Sequence, residues 1–376
     1  MSWLKNSYIW VGCVVTLQLL IFAVLLAVRP SFESLVPLIG YYTNRSLNVT
    51  WNSLIYNSTL LGNGGLNWSA VYRFDQQLDP FLADLMETVT LTFKDHRVDY
   101  QMTRPVNSNV CDGVDAVVYV MTTLSRQATE RRNIVRNALF NETNLPKNYT
   151  ILHRYVVARF PAENDYQQNL IKEVKEFDDI IMMNIDDDYR RNYIKWHTMH
   201  AWHMRHCPRV KNFIKIDDDV IIYLKRLFQW VDRDFGGIVE GKDKYFVCDL
   251  INKGKVFRDL GKHKKVFVTY EQFPQRYYPS YCNGPVVITT NETISEIMKI
   301  QETVNYITVD DVLYTGIVRD KAGISLLKFD GINGRNAGCS ADGLPLYTSW
   351  HGKGKGGAQG VLNVLEEIKN VKCNKE

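Results

Sequence analysis

The chain has 376 residues, of which 45% are hydrophobic and 23% charged, and a formal net charge of +4. These fractions are those of an ordinary globular protein, and the length exceeds one average domain without demanding two. We expect this small net charge to be spread along the chain. It therefore gives no reason to expect a nucleic-acid partner.

The twenty residues 9–28 form an unbroken, uncharged and mostly apolar run. At about 1.5 Å rise per residue such a helix spans the roughly 30 Å core of a bilayer. We therefore predict a transmembrane signal anchor that follows a cytoplasmic tail of residues 1–8. A cleavable signal peptide is the alternative, but the run is too long for an ordinary apolar region and no small-x-small cleavage site closes it.

Asn-x-Ser/Thr sequences are more frequent than the roughly two that chance supplies in this length. This excess predicts that the chain after the anchor lies in the secretory lumen. Residues 29–112, which are weakly periodic, are expected to form a glycosylated stem that is partly ordered at best. The predicted glycan acceptors are Asn44, Asn48, Asn57, Asn67, Asn141, Asn148 and Asn291.

One of the seven cysteines, Cys13, lies in the apolar run, which leaves six for the lumenal part. In an oxidising compartment six thiols can form three disulfides, in one of 15 pairings that the sequence leaves open. A mixture of free buried cysteines with one or two disulfides is an equal alternative.

Residues 113–376 are predicted to form a catalytic domain in which apolar strands alternate with helices. This alternation predicts an α/β fold with a mostly parallel sheet flanked by helices, where ligands bind beyond the carboxyl ends of the strands. After residue 250 the alternation weakens and aromatic, loop-rich sequence follows. The predicted strands cover residues 117–120, 150–157, 180–182, 212–216 and 284–289, and the predicted helices cover 129–139, 163–177, 191–206, 292–300 and a stretch starting at 310.

An acidic triplet, Asp217-Asp218-Asp219, follows the predicted strand at 212–216. Alternate residues of a strand point the same way, so Asp217 and Asp219 are expected to converge, with Asp218 on the other side. Two carboxylates at a strand end suit Mg²⁺ or Mn²⁺, particularly an ion shared with a diphosphate. A solvated turn is the alternative.

Two other patterns resemble ligand sites without matching them. Histidines recur at every third position from His197 to His206, but a helix brings only adjacent pairs to one face, so a packed helix is predicted rather than a zinc site. Residues 352–357 are rich in glycine and lysine but lack the order of a phosphate-binding loop. We predict a mobile loop there, a potential lid over the donor phosphates, before a final amphipathic helix.

Five segments stand in the order found in one enzyme family. The first is Arg132-Asn-Ile-Val-Arg136-Asn-Ala-Leu139, and the second runs from Asp179-Ile180 through Asp187-x-Tyr189, Lys195 and Trp202 to Cys207. The others are Lys215-Ile-Asp-Asp-Asp219-Val220, Tyr278-Pro-Ser-Tyr281-Cys-Asn-Gly284 and Asp310-Asp311-Val312-x-Tyr-Thr-Gly316. Together these segments resemble the β-1,3-glycosyltransferase (β-1,3-galactosyltransferase and N-acetylglucosaminyltransferase) family of Golgi type II membrane enzymes. The resemblance covers roughly residues 115–351, and the departures from the family pattern are Ala138, Leu139, Asp188 and Arg191.

The resemblance implies a GT-A-like, nucleotide-sugar-binding fold and an inverting transfer from a UDP-sugar with Mn²⁺ as cofactor. Asp219 would ligate the ion with Asp217 in its shell. His351 would be a late histidine ligand, for which a structural role is an equal alternative. Contacts with the nucleotide sugar are assigned to Arg132, Arg136, Lys195, Asp218 and Gly284, although a solvated basic face is the default interpretation of the two arginines.

Asp311 is the predicted general base. It opens a predicted helix, whose N-terminus is expected to keep the carboxylate ionised so that it can take a proton from the acceptor hydroxyl. The alternative for Asp310 and Asp311 is simple N-capping, which we expect of Asp310.

We therefore expect a Golgi type II membrane protein that transfers galactose or an N-acetylhexosamine from a UDP-sugar to a glycan on a glycoprotein or glycolipid, forming a β-1,3 linkage. A homodimer is left open. The first alternative is a family member that has lost catalysis and acts as a glycan-binding or chaperone subunit, for which the departures leave room. The second is a non-enzymatic, membrane-anchored adhesion domain.

Overall fold

The computed structural model describes residues 55–60, 66–71, 79–159, 166–352 and 357–373. The predicted anchor at 9–28 and the sequons at Asn44 and Asn48 lie outside these residues. Within the described part of the chain, no helix has the length and apolar character needed to cross a membrane.

One large sheet organises the described residues. Its strands follow the order β1-β2-β4-β7-β6-β5-β8-β11-β10-β12, and β3 pairs with β4. A separate two-stranded ribbon pairs β9 with β13. The strands are β1 (Ile55–Leu60), β2 (Leu66–Val71), β3 (Met86–Thr92), β4 (His96–Thr103), β5 (Ala116–Met121), β6 (Ile151–Arg159), β7 (Ile180–Asp186), β8 (Asn212–Asp217), β9 (Val220–Ile222), β10 (Tyr245–Ile251), β11 (Tyr281–Thr290), β12 (Ser325–Lys328) and β13 (Ser349–His351).

The helices cover both faces of this sheet. They are α1 (Pro80–Leu85), α2 (Arg126–Ala138), α3 (Tyr166–Phe177), α4 (Asn192–His206), α5 (Leu224–Val231), α6 (Asp234–Gly237), α7 (Asn291–Ile300), α8 (Arg319–Lys321) and α9 (Gly357–Lys369), together with a π-helix at Val312–Val318 and 3₁₀ turns at Glu142–Asn144, Tyr189–Arg191 and Gln301–Thr303. Each helix predicted from the sequence is present. Helix α2 begins three residues before its predicted start because the Ser125 side chain caps it by accepting the N–H of Ala128 at 3.3 Å.

The prediction of a mostly parallel sheet holds in part: the four central strands pair in parallel, and so do β2 with β4 and β10 with β12. Strands β7, β6, β5 and β8 pair in parallel, whereas β11 is antiparallel to both β8 and β10, and β4 is antiparallel to β7 and β3. The sheet as a whole is therefore mixed. Helices α2, α3 and α4 join the central strands and are long enough for parallel crossovers, whereas β3 and β4 are joined by a short turn.

Two apolar cores lie on opposite faces of the sheet. Alternate residues of β5 enter them: Val117 and Tyr119 pack with α4 and α7, while Val118 and Val120 pack with α2, α3, α5 and α9. A strand buried on both faces needs apolar side chains at every position, which explains the continuous run Ala116–Met121.

The segment predicted as a stem contributes to this sheet. Strand β4 pairs with β7 and β3 folds back on β4, so that Val89, Leu91, Val98 and Tyr100 are buried in the core that also contains α4. The apolar pattern is weak here because only alternate residues of these outer strands are buried. Residues 86–103 are therefore structurally continuous with the sheet of the predicted catalytic domain.

All six cysteines among the described residues are paired. The disulfides are Cys111–Cys207, Cys248–Cys282 and Cys339–Cys373. This selects three disulfides over the mixture of free and bridged cysteines. The bridge Cys248–Cys282 links β10 to β11 directly below the loops that form the candidate site.

Candidate active site

The acidic triplet separates at the end of β8 instead of converging. The strand ends at Asp217, and Asp218 and Asp219 form the turn that leads into β9. Each carboxylate therefore meets a different partner: Asp217 meets Lys215, Asp218 meets Arg131, and Asp219 meets His351. The expectation that Asp217 and Asp219 share one face fails because the extended backbone does not continue past Asp217.

Lys215 is a fully buried cation beneath the site. Its Nζ donates to Asp217 Oδ1 at 2.6 Å and to the carbonyl of Gly284 at 2.7 Å, and it lies 5.3 Å from the ring centre of Trp196. Burial acts to lower the pKa of this ammonium, but the charges of Asp217 and Asp311 raise it overall. Lys215 thus stays charged and joins β8 to β11 at the point where the carboxylates gather.

Asp311 packs directly against the backbone of Gly284. A β-carbon at position 284 would overlap the carboxyl of Asp311, so only glycine fits at this place in β11. The Oδ1 atom of Asp311 is inaccessible to solvent and has no hydrogen-bond partner. A buried carboxyl oxygen without a partner is costly in a folded protein, so its presence indicates a functional atom.

The electrostatics of Asp311 differ from the prediction. Burial and the neighbouring charge of Asp310 raise the pKa of Asp311 well above its usual value, although Lys215 opposes this. Burial likewise raises the pKa of Asp310 to about 6. The helix start does not keep Asp311 ionised, because two carboxyl groups side by side in a buried place cannot both ionise easily. The Asp311 side chain forms no N-cap hydrogen bond. The Asp310 carboxyl accepts backbone hydrogen bonds at its own position and at Asp311, which fits the capping role predicted for it.

The ribbon of β9 and β13 brings His351 beside Asp219. Val220 pairs with His351, and the imidazole Nε2 lies 3.2 Å from Asp219 Oδ2. Burial acts to raise the pKa of Asp219, but the hydrogen bond and charge of His351 hold it below its usual value. An ionised carboxylate next to an imidazole is a pair of donors that Mn²⁺ accepts.

Asp217 is held by Lys215 and does not join this pair. Among the described residues, no three His, Cys, Asp or Glu side chains form a group that could hold a metal ion. The chain therefore offers two adjacent donors, Asp219 and His351. This fits an ion whose remaining ligands come from a bound diphosphate and water.

Asp218 contacts Thr122, which follows β5, and Arg131 of α2. Its Oδ2 accepts hydrogen bonds from Thr122 Oγ1 at 2.5 Å and from the Arg131 guanidinium at 3.0 Å. A shallow cavity beside it is lined by Arg131, Asp218, Asp219 and Gly352. The Nε of Arg131 is buried without a partner, which makes this side chain a candidate for binding an anion in the cavity.

The two arginines predicted to contact the diphosphate are occupied elsewhere. Arg132 is fully buried and donates to Glu173 at 2.8 and 2.6 Å, and Arg136 donates to Asp179 at 2.7 and 2.8 Å and to Glu173 at 2.7 Å. These ion pairs attach α2 to α3 and to the start of β7. The structure therefore gives both side chains a structural position, and the arginine next to the acidic triplet is Arg131.

Lys195 is buried at the carboxyl ends of β5 and β7. Its Nζ donates to the carbonyl of Thr122 at 2.8 Å and to Asp187 Oδ1 at 2.7 Å, while Asp187 Oδ2 is buried with no hydrogen-bond partner. Burial raises the pKa of Asp187 despite the neighbouring lysine. Lys195 thus binds the same residue, Thr122, that donates to Asp218. Its side-chain contact holds the carboxyl of Asp187 in position.

Three of the four histidines of α4 are packed inside the protein, and the fourth, His206, is half-buried beside Glu87. His197 Nδ1 lies 2.8 Å from the hydroxyl of Tyr100, and His203 Nδ1 lies 3.1 Å from that of Tyr119. His200 is surrounded by aromatic rings, and both its ring nitrogens are buried without partners. The packed helix predicted from the sequence is confirmed.

The described sequons differ in accessibility. Asn141 and Asn148 are exposed on the loop that follows α2. Asn291 is half-buried, and its Nδ2 donates to the carbonyl of Pro208 at 2.8 Å. Asn141 and Asn148 are thus accessible at the surface, whereas the Nδ2 of Asn291 contacts the backbone. A glycan at any of these positions stays a prediction. Asn57 and Asn67 lie in β1 and β2.

Three residues of the site were missed from the sequence. Lys215 stands within the acidic motif without a predicted role, Arg131 lies next to the predicted Arg132, and Tyr189 matches only the spacing of the family pattern. Burial and the charges of Asp310 and Asp311 raise the pKa of the Tyr189 hydroxyl, which places this half-exposed ring beside the carboxylates. A lysine inside an otherwise apolar strand was the one signal that could have revealed Lys215.

Two of the departures from the family pattern lie outside the site. Ala138 and Leu139 are buried in the core between α2 and the sheet. Arg191 donates from NH1 to the carbonyl of Asp186 at 3.1 Å. The departures at Ala138 and Leu139 therefore change residues that pack in the core and not residues that contact the carboxylates of the site.

A mixed α/β sheet with carboxylates and cations gathered beyond its strand ends defines a class of ligand-binding α/β domains. Comparison with known proteins is more specific. Residues 130–330, more than half of the chain, match the sequence model of the galactosyltransferase family. The chain therefore belongs to the galactosyltransferase family.

Individual relatives are distant. Over 226 residues the chain is 24% identical to lactosylceramide 1,3-N-acetyl-beta-D-glucosaminyltransferase A of Xenopus laevis, with 58% of each protein covered. Over 229 residues it is 24% identical to the acetylgalactosaminyl-O-glycosyl-glycoprotein beta-1,3-N-acetylglucosaminyltransferase of Mus musculus, which covers 59% of this chain and 56% of that protein. The chain thus spans less than two thirds of the length of these relatives.

Among solved structures, mouse xyloside xylosyltransferase 1 in its apo form covers 58% of this chain and 86% of its own. The sequence identity is 11% and the TM-score 0.26, an overlap too weak to support a conclusion.

Proposed function

We propose that the chain is a glycosyltransferase with a GT-A-like fold that moves galactose or an N-acetylhexosamine from a UDP-sugar to a glycan hydroxyl, forming a β-1,3 linkage. The observation that carries this proposal is the Asp311 carboxyl, which is held against Gly284 with a buried, unpartnered Oδ1. Membership of the galactosyltransferase family and the relatives named as β-1,3-N-acetylglucosaminyltransferases support the reaction class.

In the proposed reaction Asp311 acts as the general base. The acceptor oxygen bonds to the anomeric carbon while the bond from that carbon to the diphosphate breaks, and its electron pair leaves with UDP. The hydroxyl proton passes to the carboxylate of Asp311. One displacement from the face opposite the leaving group inverts the anomeric carbon, so an α-linked donor gives a β-linked product.

Asp311 must be ionised when the acceptor attacks. Lys215 favours the ionised form, whereas burial and Asp310 oppose it and raise the pKa of Asp311 well above that of an exposed carboxyl. A base whose pKa approaches the working pH combines a useful ionised fraction with a strong affinity for the proton.

On the donor side, Arg131 and Asp219 line the shallow cavity below α2, and Asp219 contacts His351. A divalent cation held by that pair, Mn²⁺ in our proposal, would neutralise the charge that develops on the departing diphosphate. Arg131, whose Nε lacks a partner, would bind a phosphate oxygen directly. Residues 353–356 of the proposed lid lie outside the described residues.

We also propose the cellular arrangement. The chain would be a single-pass type II protein of the Golgi membrane, anchored by residues 9–28, with the sheet in the lumen. Three disulfides and the exposed sequons at Asn141 and Asn148 support an oxidising, glycosylating compartment.

The decisive experiment is calorimetric titration of UDP into the full chain, in neutral detergent, with Mn²⁺ and with a chelator, followed by assay of the Asp311→Asn variant. We expect UDP to bind only with Mn²⁺. Removing a general base costs about 10²- to 10⁴-fold in kcat, and the variant should keep its UDP affinity within about threefold. The exposed Asp320→Asn variant is the control. Absence of UDP binding by the folded chain would refute the donor site, and an unchanged kcat in Asp311→Asn would refute the base.

A further inference from the structure

The long connection between β10 and β11, residues 252–280, has a larger net positive charge than the whole chain. We call it the basic loop. It contains seven Lys or Arg residues and two Asp or Glu residues, a net charge of +5, whereas the whole chain has +4. The remaining residues therefore sum to −1. The net positive charge is concentrated in the basic loop and is not spread along the chain, contrary to the expectation from the overall composition.

The backbone of the basic loop is held by internal hydrogen bonds. The guanidinium of Arg258 lies inside it and donates to four backbone carbonyls, those of Val268, Thr269, Phe273 and Gln275. The loop also returns on itself, since the N–H of Tyr278 donates to the carbonyl of Gly254 at 2.8 Å. An arginine that donates to several backbone carbonyls ties together the backbone from which the other cations project.

The basic loop contacts the segment that leads into Asp310 and Asp311. Thr308, two residues before Asp310, donates from Oγ1 to the carbonyl of Phe267 at 3.3 Å. Lys265 Nζ lies 4.9 Å from the ring centre of Tyr189, the residue whose hydroxyl senses the charges of Asp310 and Asp311. One cation of the loop is thus a single side chain away from the proposed base.

The cations of the basic loop face solvent, and most lack a carboxylate partner. Among the described residues, the ion pair formed by this group is Lys262–Asp259 at 3.9 Å. Exposed tyrosines lie between them: Tyr270 is 65% exposed and Tyr277 46% exposed. The exposed cations are Lys253, Lys255, Lys262, Lys264, Lys265 and Arg276.

We propose that the acceptor is an acidic glycan, whose carboxylate or sulfate group binds the basic loop at Lys264 and Lys265. This inference rests on the proposed function and adds the substrate class. An unpaired cationic surface favours an anion, and exposed aromatic rings offer platforms for the apolar faces of sugars. The carboxyls of Asp217, Asp310 and Asp311 repel an anion, so the acidic group lies on a sugar next to the one that reacts. The arrangement orients the acceptor with its neutral hydroxyl at Asp311.

The test is binding of the full chain, in neutral detergent, to an array of glycans with matched cores that are neutral, carboxylated or sulfated. We expect retention of the acidic members. The variant Lys264→Gln/Lys265→Gln should lower their apparent affinity about three- to tenfold, the range for two partly screened charge contacts. Raising the salt concentration should reduce the difference between acidic and neutral glycans.

Two matched variants separate local charge from general effects. Lys264→Arg/Lys265→Arg keeps the charge and should keep the preference for acidic glycans. Lys299→Gln/Lys321→Gln removes two exposed lysines elsewhere and should leave the preference unchanged. Equal binding of neutral and acidic glycans, no binding of any acidic glycan, or a preference that survives Lys264→Gln/Lys265→Gln would overturn the proposal.

An anionic membrane surface is the competing occupant. If the lysine variant loses binding to phosphatidylserine vesicles while the preference on the array persists, the loop binds lipid and the proposal is wrong. The outcome is independent of the proposed reaction, because Asp311→Asn should abolish transfer yet keep the preference for acidic glycans. If transfer activity is absent while the preference for acidic glycans is present, the proposed function fails and the acceptor class stands. If the preference for acidic glycans is absent while transfer activity is present, the acceptor class fails and the proposed function stands.

Discussion

Asp311 and Gly284 come from distant parts of the chain, and the carboxyl of the first occupies the space that a side chain on the second would fill. The glycine lies in β11, beside the buried Lys215, which binds its carbonyl at 2.7 Å. Replacing Gly284 by alanine should therefore displace Asp311. We expect kcat to fall about 100-fold, as for a misplaced catalytic group, with the UDP affinity changed less than threefold.

The control for this variant is Gly261→Ala, because Gly261 is exposed and an added β-carbon there meets only the side chain of Asp259 at 3.3 Å. Steady-state kinetics and UDP titration on both variants check the prediction. Full activity in Gly284→Ala would show that the close packing of Asp311 is irrelevant to turnover.

Removal of Asp219 should abolish the Mn²⁺ dependence of UDP binding. Its carboxylate is held ionised beside His351 at 3.2 Å, so Asp219→Ala leaves the imidazole as a single donor. Titration of UDP with and without Mn²⁺ measures the effect. Asp342→Ala, which removes an exposed carboxylate paired with Arg233, serves as the control. Mn²⁺-dependent binding that persists in Asp219→Ala would rule out this residue as a ligand.

Arg132 should matter for stability rather than for the donor. Removing one partner of a buried ion pair costs about 3–5 kcal/mol, and Arg132→Met leaves Glu173 buried with only Arg136 to compensate it. We expect a large decrease in the free energy of unfolding, measured by urea denaturation, with UDP affinity of the folded protein unchanged. The exposed Arg126→Gln variant should have little effect on stability. An intact stability combined with a tenfold weaker UDP affinity would restore the sequence-based assignment of Arg132 to the diphosphate.

The buried histidines should make the protein less stable in mild acid. Burial lowers the pKa of His197 to about 3 and that of His203 to about 4, below the value of 6.5 for an unfolded chain. Between about pH 6.5 and 4 the unfolded chain therefore binds more protons, and stability falls as the pH falls. Each histidine contributes up to about 1.4 kcal/mol per pH unit in this window.

Asp310 acts in the opposite direction, because its pKa is raised to about 6 and its contribution to stability grows as the pH falls through that value. The difference between the wild type and His197→Gln isolates the histidine. We expect the slope of unfolding free energy against pH to be smaller in the variant, by urea denaturation at pH 7.5, 6.5 and 5.5. Equal slopes in the two proteins would mean that His197 titrates normally in the fold.

The sequence determined the elements and the choice of Asp219, Asp311, Gly284 and His351. Periodicity found the central strands and their helices because residues buried on both faces of a strand, or on one face of a helix, impose an apolar pattern that is local in the chain. The strands in residues 86–103 were not predicted, because strands that are buried on one face have a weaker apolar pattern. The family resemblance, and not periodicity, selected the residues with a chemical role.

Only the tertiary structure decided which charges face one another. Arg131, Arg132 and Arg136 share one helix, yet the first contacts Asp218 while the others bind Glu173 and Asp179. The raised pKa of Asp311 likewise depends on its burial, on Asp310 and on Lys215, which lies 96 residues earlier in the chain. Ionisation and pairing depend on distance and on exclusion of water, and these are properties of the packed fold rather than of any stretch of sequence.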